Sequence, residues 1–203
     1  MKFINELNKG FFSSQELKNL KFKSLGNNVK ISKNCTIVGQ ENISIGNNVR
    51  IDDYVTIICS EGFLKIGSYI HIGSHSHITC SGGVTMNNFS ALSQGVKVYS
   101  ISDDYSGVSL TNPTIPEEFL SVKKEAVNIG KHVIIGSGSV ILPGVSIDEG
   151  SSVGALSLVN KSLEAWGVYI GVPAKRINFR KKILLEQEDK LIKKIGKILP
   201  EFD

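Results

Sequence analysis

Residues 129–147 read Ile129-Gly130-Lys131-His132-Val133-Ile134-Ile135-Gly136-Ser137-Gly138-Ser139-Val140-Ile141-Leu142-Pro143-Gly144-Val145-Ser146-Ile147, and their aliphatic residues return at every sixth position. Ile129, Ile135, Ile141 and Ile147 set the beat, and Val153 and Val159 continue it. A hexapeptide period points to a parallel β-helix, in which each repeat gives one short strand to one face of a three-sided prism. Upstream the same beat runs through Leu25, Ile31 and Ile37, then Ile45, Ile51 and Ile57, then Ile66, Ile72 and Ile78, then Met86, Leu92 and Val98. Glycine often follows the aliphatic residue, as at Gly26, Gly46, Gly67, Gly73, Gly130, Gly136 and Gly154.

Three hexapeptides complete a coil. Coil starts at 25, 45, 66 and 86 are 20, 21 and 20 residues apart, whereas a bare coil has 18. Each early coil therefore carries two or three extra residues at one corner, at 39–42, 60–63 and 81–83. The coils from 129 onward keep the strict 18. Aliphatic side chains then stack from coil to coil, which is how a repeat protein acquires a core. Each buried Ile or Val contributes roughly 1.5–3 kcal/mol.

The division that follows is a cap segment over 1–24, a prism over 25–172, and a tail over 173–203. Ser13 and Glu16 have the spacing of a capping box that starts a helix in the cap segment. The beat breaks over 99–128, a long loop containing Asp103, Asp104, Gly107, Pro113 and Pro116; a loop of this length in a compact fold is usually functional or disordered. In the tail, Leu184, Leu191, Ile195 and Ile198 are spaced as on an amphipathic helix over 177–199, expected to cap the open end of the prism or to pack on a neighbour.

Composition narrows the class. With 41% hydrophobic residues and 20 glycines among 203, the chain reads as one ordered, elongated domain. Net charge is +4, a mild excess gathered near the C-terminus that reads as a solvated face. The first twenty residues lack the pattern of a secretory signal, and no stretch approaches the ~18 apolar residues of a membrane span. Cys35, Cys59 and Cys80 lack metal-type spacing. The expectation is a cytoplasmic protein with reduced thiols, no metal, no membrane span and no nucleic-acid partner.

The run from Ile129 through Ile141-Leu142-Pro143-Gly144-Val145, together with Gly171-Val172-Pro173-Ala174-Lys175, resembles the hexapeptide-repeat acyltransferases. The loop string Tyr99 to Gly107 and the segment Glu164-Ala165-Trp166-Gly167 are most similar to the branch that serves surface-polysaccharide biosynthesis. The resemblance implies an all-β, left-handed parallel β-helix assembled as a homotrimer. It also implies acetyl-CoA as the acyl donor, lying in a groove between subunits, and a sugar or nucleotide-sugar acceptor near the long loop. By resemblance, Ser137, Gly154 and Ala155 line the pantetheine arm, Lys161 and Lys175 meet the phosphates, and Trp166 and Pro173 flank the arm or the adenine. The structural alternatives are a tight prism corner for Gly154 and Ala155 and a solvated surface for the two lysines.

Acyl transfer to a hydroxyl calls for a base and for a donor to the developing oxyanion. The family's loop histidine is missing, and Asp103 stands in its place. The four histidines are His71, His75, His77 and His132. His71 precedes the inward Ile72 and so points outward, beside Ala91 of the next coil. The working assignment is His71 as base, oriented by Asp103 or Asp104. Open alternatives are His75 or His77 as base, Asp103 alone for an amine acceptor, or plain surface and turn roles for all of them. The leading expectation is O-acetylation of a sugar. The alternatives are N-acylation of an amino-sugar nucleotide and a non-catalytic β-helix scaffold.

Overall fold

The computed structural model describes residues 9–196. Three parallel sheets form the faces of a β-helix. Face 1 stacks six strands, from Ser24–Leu25 to Ser146–Ile147. Face 2 begins at Lys30–Ile31 and holds His71–Ile72, Ala91–Leu92, Ile134–Ile135 and Ser152–Val153. Face 3 runs from Thr36–Val38 through His77–Thr79 and Lys97–Tyr99 to Leu158–Val159.

The six-residue beat is the core. Ile31, Ile51, Ile72, Leu92 and Ile135 stack fully buried inside face 2, and the other faces repeat the pattern. In the first coil Leu25 and Ile37 are only partly buried, because no coil lies beneath them. The helix α1 (Ser14–Asn19) covers this end. Ser13 accepts from the Glu16 amide, Glu16 accepts from the Ser13 amide, and Leu17 is buried beside Phe12 and Phe22. Three serines at inward corner positions, invisible to an aliphatic beat, are satisfied locally: Ser76, Ser139 and Ser157 donate to carbonyls of Ser93, Gly154 and Gly154, whereas the buried Ser90 Oγ has no partner among the described residues.

The extra corner residues lie where the coil lengths place them, as a 3-10 turn over Gln40–Asn42 and turns around Gly62 and Gly83. The long excursion leaves no gap in the prism, since Met86 pairs directly with Ile129 across it. It is shorter than 99–128. Tyr99 still belongs to face 3 and Val127 already to face 1, and Ile101–Ser102 pairs antiparallel with Lys123–Lys124 as a neck. Lys124 ties this neck to Glu61 in an early corner at 2.6 Å.

The corner between faces 1 and 2 holds a column of left-handed residues, Asn28, Asn48, Tyr69, Phe89, His132, Gly150 and Trp166, with φ between 54° and 71°. Their side chains stack: Tyr69 on Phe89 and Phe89 on His132, each pair with ring centroids 5.1 Å apart. Gly150 is required here, because a Cβ would lie 2.5 Å from the Trp166 ring.

The tail departs from the expected helix over 177–199. Lys175–Phe179 is a strand, antiparallel to Gly167–Ile170, that closes the open upper edge of face 2. Periodicity cannot reveal a free sheet edge, and the helix starts later than the apolar spacing predicts. The helix α2 is Leu184–Ile195, and positions 197–199 lie outside the described residues. α2 docks on its own prism through Glu188, which meets Lys131 at 2.8 Å and His132 at 2.7 Å. Arg180 anchors the approach by donating to the carbonyls of His132 and Gly150.

Candidate active site

Face 2 presents one outward residue per coil, in the order Lys30, Arg50, His71, Ala91, Ile134 and Ser152. His71 therefore stands between Arg50 and the short Ala91, which leaves space above it. On the other side, toward the coil below, a cavity of about 530 Å³ is lined by Asn48, Arg50, Asp52, Tyr69, Ile70 and His71. The His71 Nε2 lies 2.7 Å from Asp52 Oδ2, and Arg50 Nε donates to the other carboxylate oxygen at 2.6 Å. Burial pushes the Asp52 carboxyl up, but the hydrogen bonds from Arg50 and His71 outweigh it and hold the group below its ordinary range.

Neither expected partner of His71 meets it within the chain. Asp104 accepts from the amides of Ser106, Val108 and Ser109 and from the Ser106 hydroxyl. These bonds, led by that from the Ser106 hydroxyl, hold its carboxyl far below the usual range, so Asp104 shapes the loop tip. Asp103 is exposed at the exit of the neck. Asp52 is the carboxylate that sequence reasoning missed. The signal was available: a coil step of 21 residues brings Asp52 into column with Gly73, diagonal to His71.

The remaining histidines have distinct surroundings. His75 stacks on Tyr54 at the corner between faces 2 and 3, with centroids 5.0 Å apart. His77 lies on face 3 against Tyr99, and burial and then the charge of Lys97 push its pKa down. His132 is buried and serves the tail latch. Cys59 and Cys80 are fully buried.

The residues assigned to the donor separate into two groups. Ser137, Gly154, Ala155 and Pro173 gather along the corner between faces 2 and 3, with Lys175 on the adjoining strand. Their coils are joined by the Leu156 amide donating to Ser137 and the Leu158 amide to Gly171. Trp166 and Lys161 stand apart. Trp166 is a nearly buried filler of the corner between faces 1 and 2, with the Lys182 ammonium over its ring, and Lys161 follows face 3 toward face 1. The corner near Gly95 is bare: a Cβ there would meet nothing closer than 3.8 Å. Such an open backbone ridge suits the close approach of an extended arm such as pantetheine.

The bacterial transferase hexapeptide (six repeats) model matches residues 126–161. The dTDP-4-amino-4,6-dideoxy-D-glucose acyltransferase of Escherichia coli is 47% identical over 173 residues, 85% of this chain and 90% of that protein. The chain belongs to the hexapeptide-repeat acyltransferases. Its fold is therefore their left-handed parallel β-helix, and its activity is acyl transfer.

Among solved structures of this acyltransferase family, AntD, an N-acyltransferase from Bacillus cereus, superposes with a TM-score of 0.89 and 43% identity, over 94% of this chain and all of its own. That crystal structure holds dTDP and 3-hydroxybutyryl-CoA, and a serine variant of AntD holds dTDP-4-amino-4,6-dideoxyglucose with coenzyme A. A putative lipopolysaccharide O-acetyltransferase of Escherichia coli, WbbJ, is more distant, at 29% identity over 56% of each chain. WbbJ is thus similar to this chain over a shorter span than the dTDP-4-amino-4,6-dideoxy-D-glucose acyltransferase and AntD are.

Proposed function

We propose that this protein transfers an acyl group from a coenzyme A thioester to the amine of a dTDP-linked 4-amino-4,6-dideoxyhexose, giving an amide. This replaces the expectation of O-acetylation with its N-acyl alternative. The observation that carries it is the 47% identity to a dTDP-amino-sugar acyltransferase across nearly its whole length. A second observation supports the site. The AntD structures include variants at a serine and at an aspartate ten positions later. In this chain Ser93 and Asp103 are the only serine and aspartate with that separation. Asp103 is the residue that replaces the family's loop histidine, and the Ser93 hydroxyl makes no hydrogen bond among the described residues.

In this reading the donor lies along the bare corner, held by Ser137, Gly154, Ala155, Pro173 and Lys175, with its thioester beside Ser93. Coenzyme A supplies the activated acyl carbon. Asp103 accepts a hydrogen bond from the acceptor amine and aims its lone pair. The amine nitrogen attacks the thioester carbonyl carbon, and Ser93 donates to the oxygen that gains charge. The C–S bond then breaks, the carbonyl re-forms, and the sulfur leaves as a thiol carrying one proton from the nitrogen. His71, with Asp52 behind it, takes the proton of an acceptor that arrives as ammonium.

The homotrimer belongs to this proposal. In a three-sided prism the corner between faces 3 and 1, where the loop departs, lies opposite face 2 and its His71. A second copy supplying the loop brings Asp103 to the His71 face. The test is incubation with acetyl-CoA or 3-hydroxybutyryl-CoA and dTDP-4-amino-4,6-dideoxyglucose, beside dTDP-glucose as the alcohol control. The expected product survives hydroxylamine, as an amide does. Acylation of dTDP-glucose alone, or a hydroxylamine-labile product, overturns the reading.

A further inference from the structure

Resting on the donor placement just described, we infer that His75 is the specificity-determining floor of the acyl site, and that it selects a short acyl chain bearing a hydroxyl beyond the thioester carbonyl. The corner between faces 2 and 3 repeats one left-handed backbone position in five coils, at Tyr54, His75, Gly95, Gly138 and Leu156. Gly95 leaves a notch, while at Gly138 the Leu156 Cδ2 already lies 2.7 Å from where a Cβ would stand. Leu156 roofs the notch, with three-quarters of its surface exposed. His75 is its floor.

That floor is an exposed ring with one stacking partner. The His75 ring stacks on Tyr54 at 5.0 Å with planes 17° apart, so the ring face is occupied and its edge is free. Its ring nitrogens make no hydrogen bond among the described residues. His71 differs, being committed to Asp52. The side wall is ordered as well, since Ser137 Oγ donates to Gln94 Oε1 at 3.2 Å, joining the two coils that carry the glycines.

Neighbouring strands are about 4.8 Å apart. With the thioester beside Ser93 and the pantetheine arm rising past Gly138, the acyl chain extends toward the next coil down. An acetyl group ends short of that coil, whereas a chain of a few more atoms reaches the His75 edge. A free imidazole edge can donate to or accept from a hydroxyl. A plain alkyl end placed there leaves those nitrogens without a partner, which costs binding.

The test measures kcat/KM with acetyl-CoA, butyryl-CoA and 3-hydroxybutyryl-CoA on dTDP-4-amino-4,6-dideoxyglucose. It compares the natural protein with His75→Phe, which keeps the stack and removes the nitrogens, and His75→Gly, which suits the left-handed backbone and lowers the floor. The natural protein is expected to favour 3-hydroxybutyryl-CoA over butyryl-CoA by about tenfold or more. His75→Phe should erase that preference, and His75→Gly should raise the relative rate with longer chains. Melting temperatures confirm that both variants fold. A donor preference that is absent in the natural protein, or unchanged in both variants, overturns the inference while amide formation still stands. Failure of the natural protein to acylate the amine with any donor removes the N-acyltransfer reading and this inference together.

Discussion

His71 and Asp52 belong to successive coils of face 2 and meet at 2.7 Å, with Arg50 bound to the same carboxylate. The imidazole is therefore oriented from below, by a residue of the prism itself. Replacing Asp52 by Asn keeps the shape and removes the charge that stabilises an imidazolium. We expect Asp52→Asn and His71→Ala each to lower kcat/KM by about tenfold or more near neutral pH. The deficit should shrink as pH rises, because the acceptor then arrives as free amine. A pH–rate profile checks this, and a deficit that is constant with pH removes His71 from proton transfer.

Asp103 and Asp104 should separate cleanly. Asp104 is consumed by five bonds from Ser106, Val108 and Ser109. Asp104→Ala is expected to loosen the loop tip, raising the acceptor KM and exposing residues 103–122 to limited proteolysis. Asp103→Ala should leave proteolysis unchanged and lower kcat by roughly a hundredfold, with Ser93→Ala lowering it by about tenfold or more. Equal kinetic losses for the two aspartates, with equal proteolysis, argue against the division.

Glu188 latches α2 to Lys131 and His132. Burial pushes its carboxyl up, yet the bonds from Lys131 and His132 prevail and hold it below its ordinary value. A depressed carboxylate stabilises the fold above its unfolded pKa and loses that contribution as pH falls through the folded value. Glu188→Gln should cost about 1–3 kcal/mol near neutral pH. The difference from the natural protein should shrink on acidification below about pH 4. Denaturant melts across that range measure it.

Gly150→Ala places a Cβ 2.5 Å from the Trp166 ring at a position with φ +71°. We expect a loss of about 1–3 kcal/mol, from backbone strain and displacement of the ring. Trp166 fluorescence should shift toward that of a wetter indole. An unchanged melt would show that the ring moves aside freely.

The prism, its irregular corners and the outward aim of His71 were legible in the order of residues, because a six-residue period leaves each aliphatic one place to go. The closing strand Lys175–Phe179 was not, since a sheet edge seeks any chain that reaches it. The latch between Glu188 and His132 joins residues 56 positions apart and leaves no periodic trace. Trp166, which the resemblance sets beside the arm or the adenine, packs over Gly150 in the corner between faces 1 and 2, a contact that only the tertiary structure shows.

By itself, then, the sequence determined the coils and the core column, because burial of aliphatic side chains at a fixed period is a local and repeated demand. Tertiary structure decided which carboxylate serves His71 and which loop aspartate is left exposed. Those choices depend on distances of a few ångströms between coils and on hydrogen bonds that compete for the same oxygens. Spacing along the chain does not record that competition.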